Sequence, residues 1–164
     1  MMEDDFNMKT AEKLVKVLTE KKLTCATAES CTGGGVGYAI TSVSGASAVF
    51  WGGIISYDNS VKCGSLGVSA EILKTTGAVS PECAAAMADG VRQRMGTDLA
   101  VSITGIAGPG GGSAEKPVGL VWFGVASKFG SRTEKMIFPG DRDSVRGSAI
   151  EHALCLLLAA AEDM

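Results

Sequence analysis

Apolar residues recur at helical spacing in Ala11, Leu14, Val15 and Leu18. Thr10 stands before them as a candidate N-cap, and Lys21 and Lys22 suit the negative end of the helix dipole. Residues 23–28 read as a short strand running into the polar, glycine-rich stretch Glu29-Ser30-Cys31-Thr32-Gly33-Gly34-Gly35, after which a helix is predicted over about 32–43. Residues 49–57 (VFWGGIISY) are rich in β-formers, and Asp58-Asn59-Ser60 supplies turn or cap chemistry. A short helix is predicted around 70–75. A longer one starts at Ser80-Pro81-Glu82, with a capping serine, a proline at the first helical position and an acid at the positive dipole end, and runs to about Arg94.

The second half continues in the same alternation. Residues 99–103 form a buried-type strand that ends in the loop Thr104–Ser113; strands follow at 118–126 and 133–138. A closing helix starts near Asp141 and repeats Val145, Ala149, Ala153 and Leu157 every four residues. Strands alternating with helices predict one α/β domain over residues 1–164, a three-layer α/β/α sandwich with a mixed, mostly parallel sheet. The mixture comes from the last two strands, which are adjacent in sequence and suit an antiparallel hairpin.

Composition narrows the function classes. The chain is 46% hydrophobic and 20% charged, enough to build a core and too apolar for disorder. A net charge of −3, with no block of cations, argues against nucleic acid as a partner. No membrane span or secretory signal is expected: the N-terminus is acidic, and the most apolar run, 153–161, is far below the ~20 residues a span needs. The chain therefore reads as cytoplasmic. Five cysteines, at 25, 31, 63, 83 and 155, never form a C-x-x-C pair, which predicts neither a disulfide framework nor a metal site. The 22 glycines are about twice the ~7% of average usage, and their clusters mark loops that bring backbone close to something.

In such sheets ligands sit beyond the carboxyl ends of the strands. Three polar loops follow strands there, at 29–35, 57–62 and 104–116, and none carries a P-loop or a G-x-G-x-x-G fingerprint. Ser30 lies at a strand-to-helix junction where backbone N–H groups are unpaired, so it can cap the helix or act as a nucleophile beside an oxyanion site. The only histidine, His152, lies in the closing helix, which makes a Ser-His-Asp triad improbable. A lysine with a depressed pKa is the other route to an activated serine, and Lys62 and Lys116 are the candidates, with Tyr57 as proton relay or orienting group. Cys31 is the rival nucleophile; Glu29 can cap, hold a ligand or act as an acid. Trp51 and Trp122 read as core residues or as stacking surfaces.

These stretches combine into a recognisable pattern. A-E-S-C-T-G-G (28–34), S-Y-D-N (56–59) with Lys62, S-I-T-G-I-A-G-P (102–109), E-K-P-V-G (115–119) and F-P-G-D-R (138–142) follow one another in order. Over residues 10–160 the chain resembles the CinA C-terminal domain family, the bacterial nicotinamide-nucleotide amidohydrolases. The resemblance implies an α/β/α sandwich that hydrolyses nicotinamide mononucleotide to nicotinate mononucleotide and ammonia, without metal or other cofactor. It implies Ser30, Tyr57 and Lys62 as catalytic residues. It also implies a substrate-binding set of Glu29, Cys31, Thr32, Gly33, Gly34, Thr104, Gly105, Gly108, Lys116, Arg142 and Arg146. Longer members carry an N-terminal domain similar to molybdopterin-binding proteins, which these 164 residues do not contain. The expected partner is a small nucleotide substrate, and a homo-oligomer is expected. The alternative is a non-catalytic nucleotide-binding or regulatory module.

Overall fold

The computed structural model describes residues 2–164, with side chains from residue 7 onward. Its elements are α1 (Met2–Lys21), β1 (Cys25–Glu29), α2 (Gly35–Thr41), β2 (Phe50–Ile55), α3 (Asn59–Leu66), α4 (Ala70–Thr75), α5 (Pro81–Met95), β3 (Leu99–Gly105), β4 (Leu120–Ser127), β5 (Gly130–Ile137) and α6 (Arg142–Glu162). A 3-10 turn at Ala46–Ala48 leads into β2. The sheet order is β2-β1-β3-β4-β5. Its three-stranded core is parallel, and the β4–β5 hairpin extends it antiparallel from β3. The sheet is thus mixed, as the adjacency of the last two strands predicts.

Helices cover both faces. On one, Leu14, Leu18, Ile40, Ala149, Leu154 and Leu157 bury against Val101, Ile103 and Phe123. On the other, Leu66, Cys83, Met87 and Val91 pack on Ala26, Ala28 and Ala100. α6 is long and apolar enough, by length and composition alone, to cross a membrane. Its apolar side is instead spent on the core: Val145, Ala149, Ala153, Leu154, Leu157, Ala160 and Ala161 are all buried. His152 on this helix meets Glu134 at 2.8 Å and stacks against Phe123 at 4.8 Å, a structural role.

Strand ends shift by one to three residues, β5 starting at Gly130, and three helix starts differ from the sequence reading for a physical reason. Thr10 is no cap, because α1 is already under way at residue 2 and Thr10 is a buried interior position. α2 starts at Gly35 and not at Thr32. Gly33 and Gly34 both have positive φ, 62° and 98°, and turn the chain before the helix can begin. α3 was read only as turn or cap chemistry. Asp58 caps it by accepting from the Ser60 N–H, and Gly67 ends it in the left-handed conformation. Ser80 caps α5 as the sequence predicts, and α6 starts where expected, with Asp141 as its cap.

Candidate active site

Because β1, β2 and β3 run parallel, their carboxyl ends bring residues 30, 56–57 and 104–105 to one edge of the sheet. The Ser30 N–H donates to the Ile103 carbonyl at 2.9 Å, and the Ser56 N–H donates to the Glu29 carbonyl at 2.8 Å. These bonds continue the ladders past the strand ends and hold the serine backbone rigidly.

α3 then turns back so that Lys62 lies in the interior, 1% exposed. Its Nζ donates to the Ser56 carbonyl at 2.6 Å, lies 3.1 Å from Ser30 Oγ and reaches the Tyr57 carbonyl at 3.5 Å. Burial pushes the Lys62 pKa below its ordinary value, against smaller opposing contributions from Cys83, Asp58 and Cys31. Two carbonyls and the Ser30 hydroxyl thus surround Nζ, which places an amine of lowered pKa directly beside the serine. That is the geometry of a serine with its own base.

Ser30, Cys31, Tyr57, Lys62, Thr104, Gly105, Gly108 and Arg142 line one open cleft of about 300 Å³. The Thr104 hydroxyl donates to the Ala78 carbonyl at 2.8 Å and ties the cleft wall to the loop before α5. Arg142 spans the cleft: one Nη donates to the Gly108 carbonyl at 2.8 Å, the other to the Tyr57 hydroxyl at 3.0 Å. The Tyr57 hydroxyl is therefore engaged with Arg142, and only its backbone carbonyl approaches Lys62. Asn59, Ala78 and Val79 also line the cleft and were not singled out. Asn59 could have been found: once α3 is a helix, it lies one turn before Lys62.

The remaining predicted residues surround this cleft without lining it. Glu29 is buried, and its carboxylate accepts from the Thr32 hydroxyl (2.7 Å) and from the N–H groups of Gly34 (3.0 Å), Val36 (3.1 Å) and Gly37 (2.8 Å). Through these bonds it builds the loop after Ser30 as a positioning residue. Replacing it by Gln turns an acceptor pair into one acceptor and one donor facing these donors. Glu29→Gln is expected to cost about 3 kcal/mol in urea unfolding, and a loss below about 1 kcal/mol would contradict the role.

Arg146 braces the same loop, donating to the carbonyls of Cys31 (3.1 Å) and Thr32 (3.3 Å). The loop's own N–H groups are partly used. That of Gly33 donates to the Ser30 carbonyl and that of Gly34 to Glu29, which takes two of the expected oxyanion donors away. Lys116 is directed elsewhere: its Nζ donates to the Thr76 carbonyl at 2.6 Å, in a separate hollow beside Trp122 and Lys135. Of the two lysines, Lys62 is the one within hydrogen-bond distance of Ser30 Oγ.

Burial pushes the Cys31 thiol up to about 11, so near neutral pH it is protonated and a poor nucleophile. Cys31→Ala is expected to keep turnover within about threefold of the parent. An inactive Cys31→Ala protein with parental thermal stability would return the thiol to consideration. Among the described residues, no three His, Cys, Asp or Glu side chains converge as metal ligands.

An α/β/α sandwich with a buried Ser–Lys pair at the carboxyl edge of its parallel strands defines the class. Residues 7–161 match the family model of the CinA C-terminal domain, and the chain belongs to that family. A "Putative competence-damage inducible protein" of Moorella thermoacetica is 49% identical over 141 residues, covering 86% of this chain and 34% of that protein. A "CinA-like protein" of Leptospira borgpetersenii is 51% identical over 148 residues, 89% of this chain and 35% of the relative. The chain thus spans about a third of the length of these relatives. Among solved structures, the competence/damage inducible protein CihA from Agrobacterium tumefaciens superposes with a TM-score of 0.92 at 41% identity, covering 94% of both chains. A CinA superfamily protein from Klebsiella pneumoniae gives 0.92 at 30% identity, covering 96% of this chain and 99% of the other.

Proposed function

We propose that this domain is a cytoplasmic amidohydrolase that deamidates nicotinamide mononucleotide to nicotinate mononucleotide and ammonia. The observation that carries the reading is the 3.1 Å contact between Ser30 Oγ and the Nζ of Lys62, an amine whose pKa burial lowers. Ser30 Oγ attacks the carboxamide carbon while its proton passes to Lys62 Nζ, and the carbonyl electron pair moves onto oxygen. Backbone N–H groups of the loop that follows Ser30, where Cys31 lines the cleft, are the donors for that oxyanion. Collapse of the intermediate breaks the C–N bond. Lys62 returns its proton to the departing nitrogen, which leaves as ammonia, and an ester joins the pyridine carbonyl to Ser30.

Water then attacks the ester with Lys62 again as base; the ester bond breaks, Ser30 regains its proton, and the carboxylate product leaves. Tyr57 holds Lys62 through its carbonyl, and Thr104 supports the wall. Arg142 and the N–H groups of the glycine loop at 108–111 suit the nucleotide's phosphate, Arg through its planar fork. Lys116 stays outside the cleft, so Lys116→Ala is expected to change kcat/KM by less than about fivefold. A loss as large as that of Lys62 variants would overturn the assignment of the base.

The direct test is enzyme-coupled detection of ammonia from nicotinamide mononucleotide with the parent protein. Steady release with stoichiometric nicotinate mononucleotide is expected; a well-folded protein that shifts its melting temperature with the nucleotide but releases no ammonia would instead be a binding module. Turnover is expected to be unchanged by prolonged chelation, since the catalytic groups are a hydroxyl and an amine. Activity lost in chelator and restored by zinc or magnesium would contradict the mechanism.

A further inference from the structure

Hydroxyl side chains on the α5 face of the sheet are tied down. That of Ser102 donates to the Ala84 carbonyl at 2.6 Å, and that of Thr104 to the Ala78 carbonyl at 2.8 Å. Ser56 is the exception. It is fully buried, and its Oγ is one of two buried side-chain polar atoms among the described residues that have no hydrogen-bond partner. The other, Asn7 Oδ1, belongs to α1, on the opposite face of the sheet. An unpaired buried hydroxyl destabilises a fold, so the place where one is kept is informative.

The strand period locates it. The Ser56 N–H continues the β1–β2 ladder, so the alternation of β2 runs on to this residue. Ile55 lies on the α2 side, against Gly34, whereas Ile54 packs with Leu66 and Cys83 of α3 and α5, and Ser56 shares its face. Lys62 reaches into the same layer from α3, and its Nζ donates to the carbonyl of Ser56 itself at 2.6 Å. The unpaired hydroxyl thus belongs to the residue that already holds the reacting nitrogen, and a single torsion, χ1, sets where it points.

A lysine amine has two N–H groups and an ammonium three. The Ser56 carbonyl at 2.6 Å takes one, but the Tyr57 carbonyl, at 3.5 Å, stands at the limit of a hydrogen bond. The remaining neighbour, Ser30 Oγ at 3.1 Å, becomes bonded to substrate during the reaction. We propose, taking Lys62 as the base of the reaction above, that Ser56 Oγ is the acceptor that receives an N–H of Lys62 while Lys62 carries the serine proton. The O–H bond of Ser30 breaks, an N–H bond forms on Nζ, and the Ser56 hydroxyl turns about χ1 to accept from the new ammonium. Ser56 is a positioning residue that acts through Lys62. Its hydroxyl is unpaired beside the neutral amine and paired beside the charged one, so it favours the state formed on proton transfer.

The groups facing Lys62 are Cys83 from α5, Asp58 from the start of α3 and Cys31 from the loop after Ser30. Burial pushes both thiols up to about 11, and hydrogen bonds from Ser60 lower the pKa of the Asp58 carboxyl, so Lys62 is the group among them free to change charge between pH 5 and pH 10. Cys63, next to Lys62 on α3, interacts with Cys83, and a Lys62→Met background separates its titration from that of Lys62.

Thermal melting of the parent, Ser56→Ala, Lys62→Met and the double variant from pH 5 to pH 10 tests the contact without requiring turnover. Alanine keeps the carbonyl that holds Nζ and removes only the hydroxyl. At high pH, beside neutral Lys62, Ser56→Ala is expected to melt at or above the parent, because an unpaired group is gone. At low pH, beside charged Lys62, it is expected to melt about 3–6 °C below the parent, because the ammonium has lost an acceptor. In the Lys62→Met background the effect of Ser56→Ala is expected to be the same at every pH. The basic arm of kcat for ammonia release should begin about one pH unit lower in Ser56→Ala than in the parent, since the charged form of the base is less favoured. A melting difference that is equal at both ends of the pH range, or that keeps its pH dependence with methionine at position 62, overturns the proposal, as does a kcat arm that stays in place. A parent that releases no ammonia yet shows the pH-dependent melting difference refutes the amidohydrolase reading and leaves the Lys62–Ser56 contact standing.

Discussion

Ser30→Ala is expected to lower kcat for deamidation by at least about 10³-fold while leaving the melting temperature within a degree or two of the parent. The size follows from the role. Without Oγ no acyl-enzyme forms, and what remains is binding plus the oxyanion donors acting on direct attack by water. The small stability change follows from the surroundings. Ser30 is held by its backbone bond to Ile103, and its side chain contributes a single contact, to Lys62 Nζ. Removing the hydroxyl leaves that nitrogen still bonded to the Ser56 carbonyl. Ammonia release by the alanine variant at near-parental rate, with thermal stability preserved, would refute the serine mechanism.

Lys62 variants are expected to be as inactive as general-base loss permits, by about 10² to 10⁴-fold, and to reveal a conflict between activity and stability. Burial lowers the folded-state pKa of Lys62, whereas in the unfolded chain it titrates near the ordinary 10.5. Between those two values the unfolded state binds the extra proton, so stability rises with pH across that window and the penalty is largest below it. Turnover should rise over the lower part of the same window, as neutral Lys62 becomes the dominant form, and level off below pH 10.5. Lys62→Met removes the amine and its desolvation cost together. At pH 7 the methionine variant is expected to be inactive with a melting temperature at or above the parent's, and that advantage should shrink as pH approaches 10.5. Lys62→Arg is expected to be inactive without the gain, because guanidinium stays charged in a buried position. A flat pH–rate profile combined with a strongly destabilised methionine variant would show that Lys62 is a structural hydrogen-bond donor only.

Much of the architecture is legible in the chain. Helical spacing in α1 and α6, the Ser80-Pro81-Glu82 start of α5 and the β-rich runs are local signals, and local physics is enough to read them. Ser30 is marked as a candidate in the same way, because a strand followed by polar residues and glycines forms a junction wherever it occurs. α3 was not legible. Its sequence N-S-V-K-C-G-S-L lacks strong helix formers and contains Gly64, and it is helical through the Asp58 cap, the Gly67 stop and burial of Leu66 and Lys62 under α5.

That one helix decides the chemistry. By residue type and local position Lys62 and Lys116 are alike, each a lysine on a loop after a strand, and only the family resemblance singles out Lys62. Only the fold turns Lys62 inward, 32 residues from its serine, and ties Lys116 to the Thr76 carbonyl outside the cleft. Glu29 reads as a cap, a ligand group or an acid, and Arg146 as a substrate contact; the packing bonds the polar atoms of both to the Ser30–Gly37 loop. Residue type and spacing determine which segments fold and which side chains are capable of reaction. The pKa of an amine and the partner it faces depend on burial and on contacts between distant segments, and those exist only once the sheet and its two helical layers have assembled.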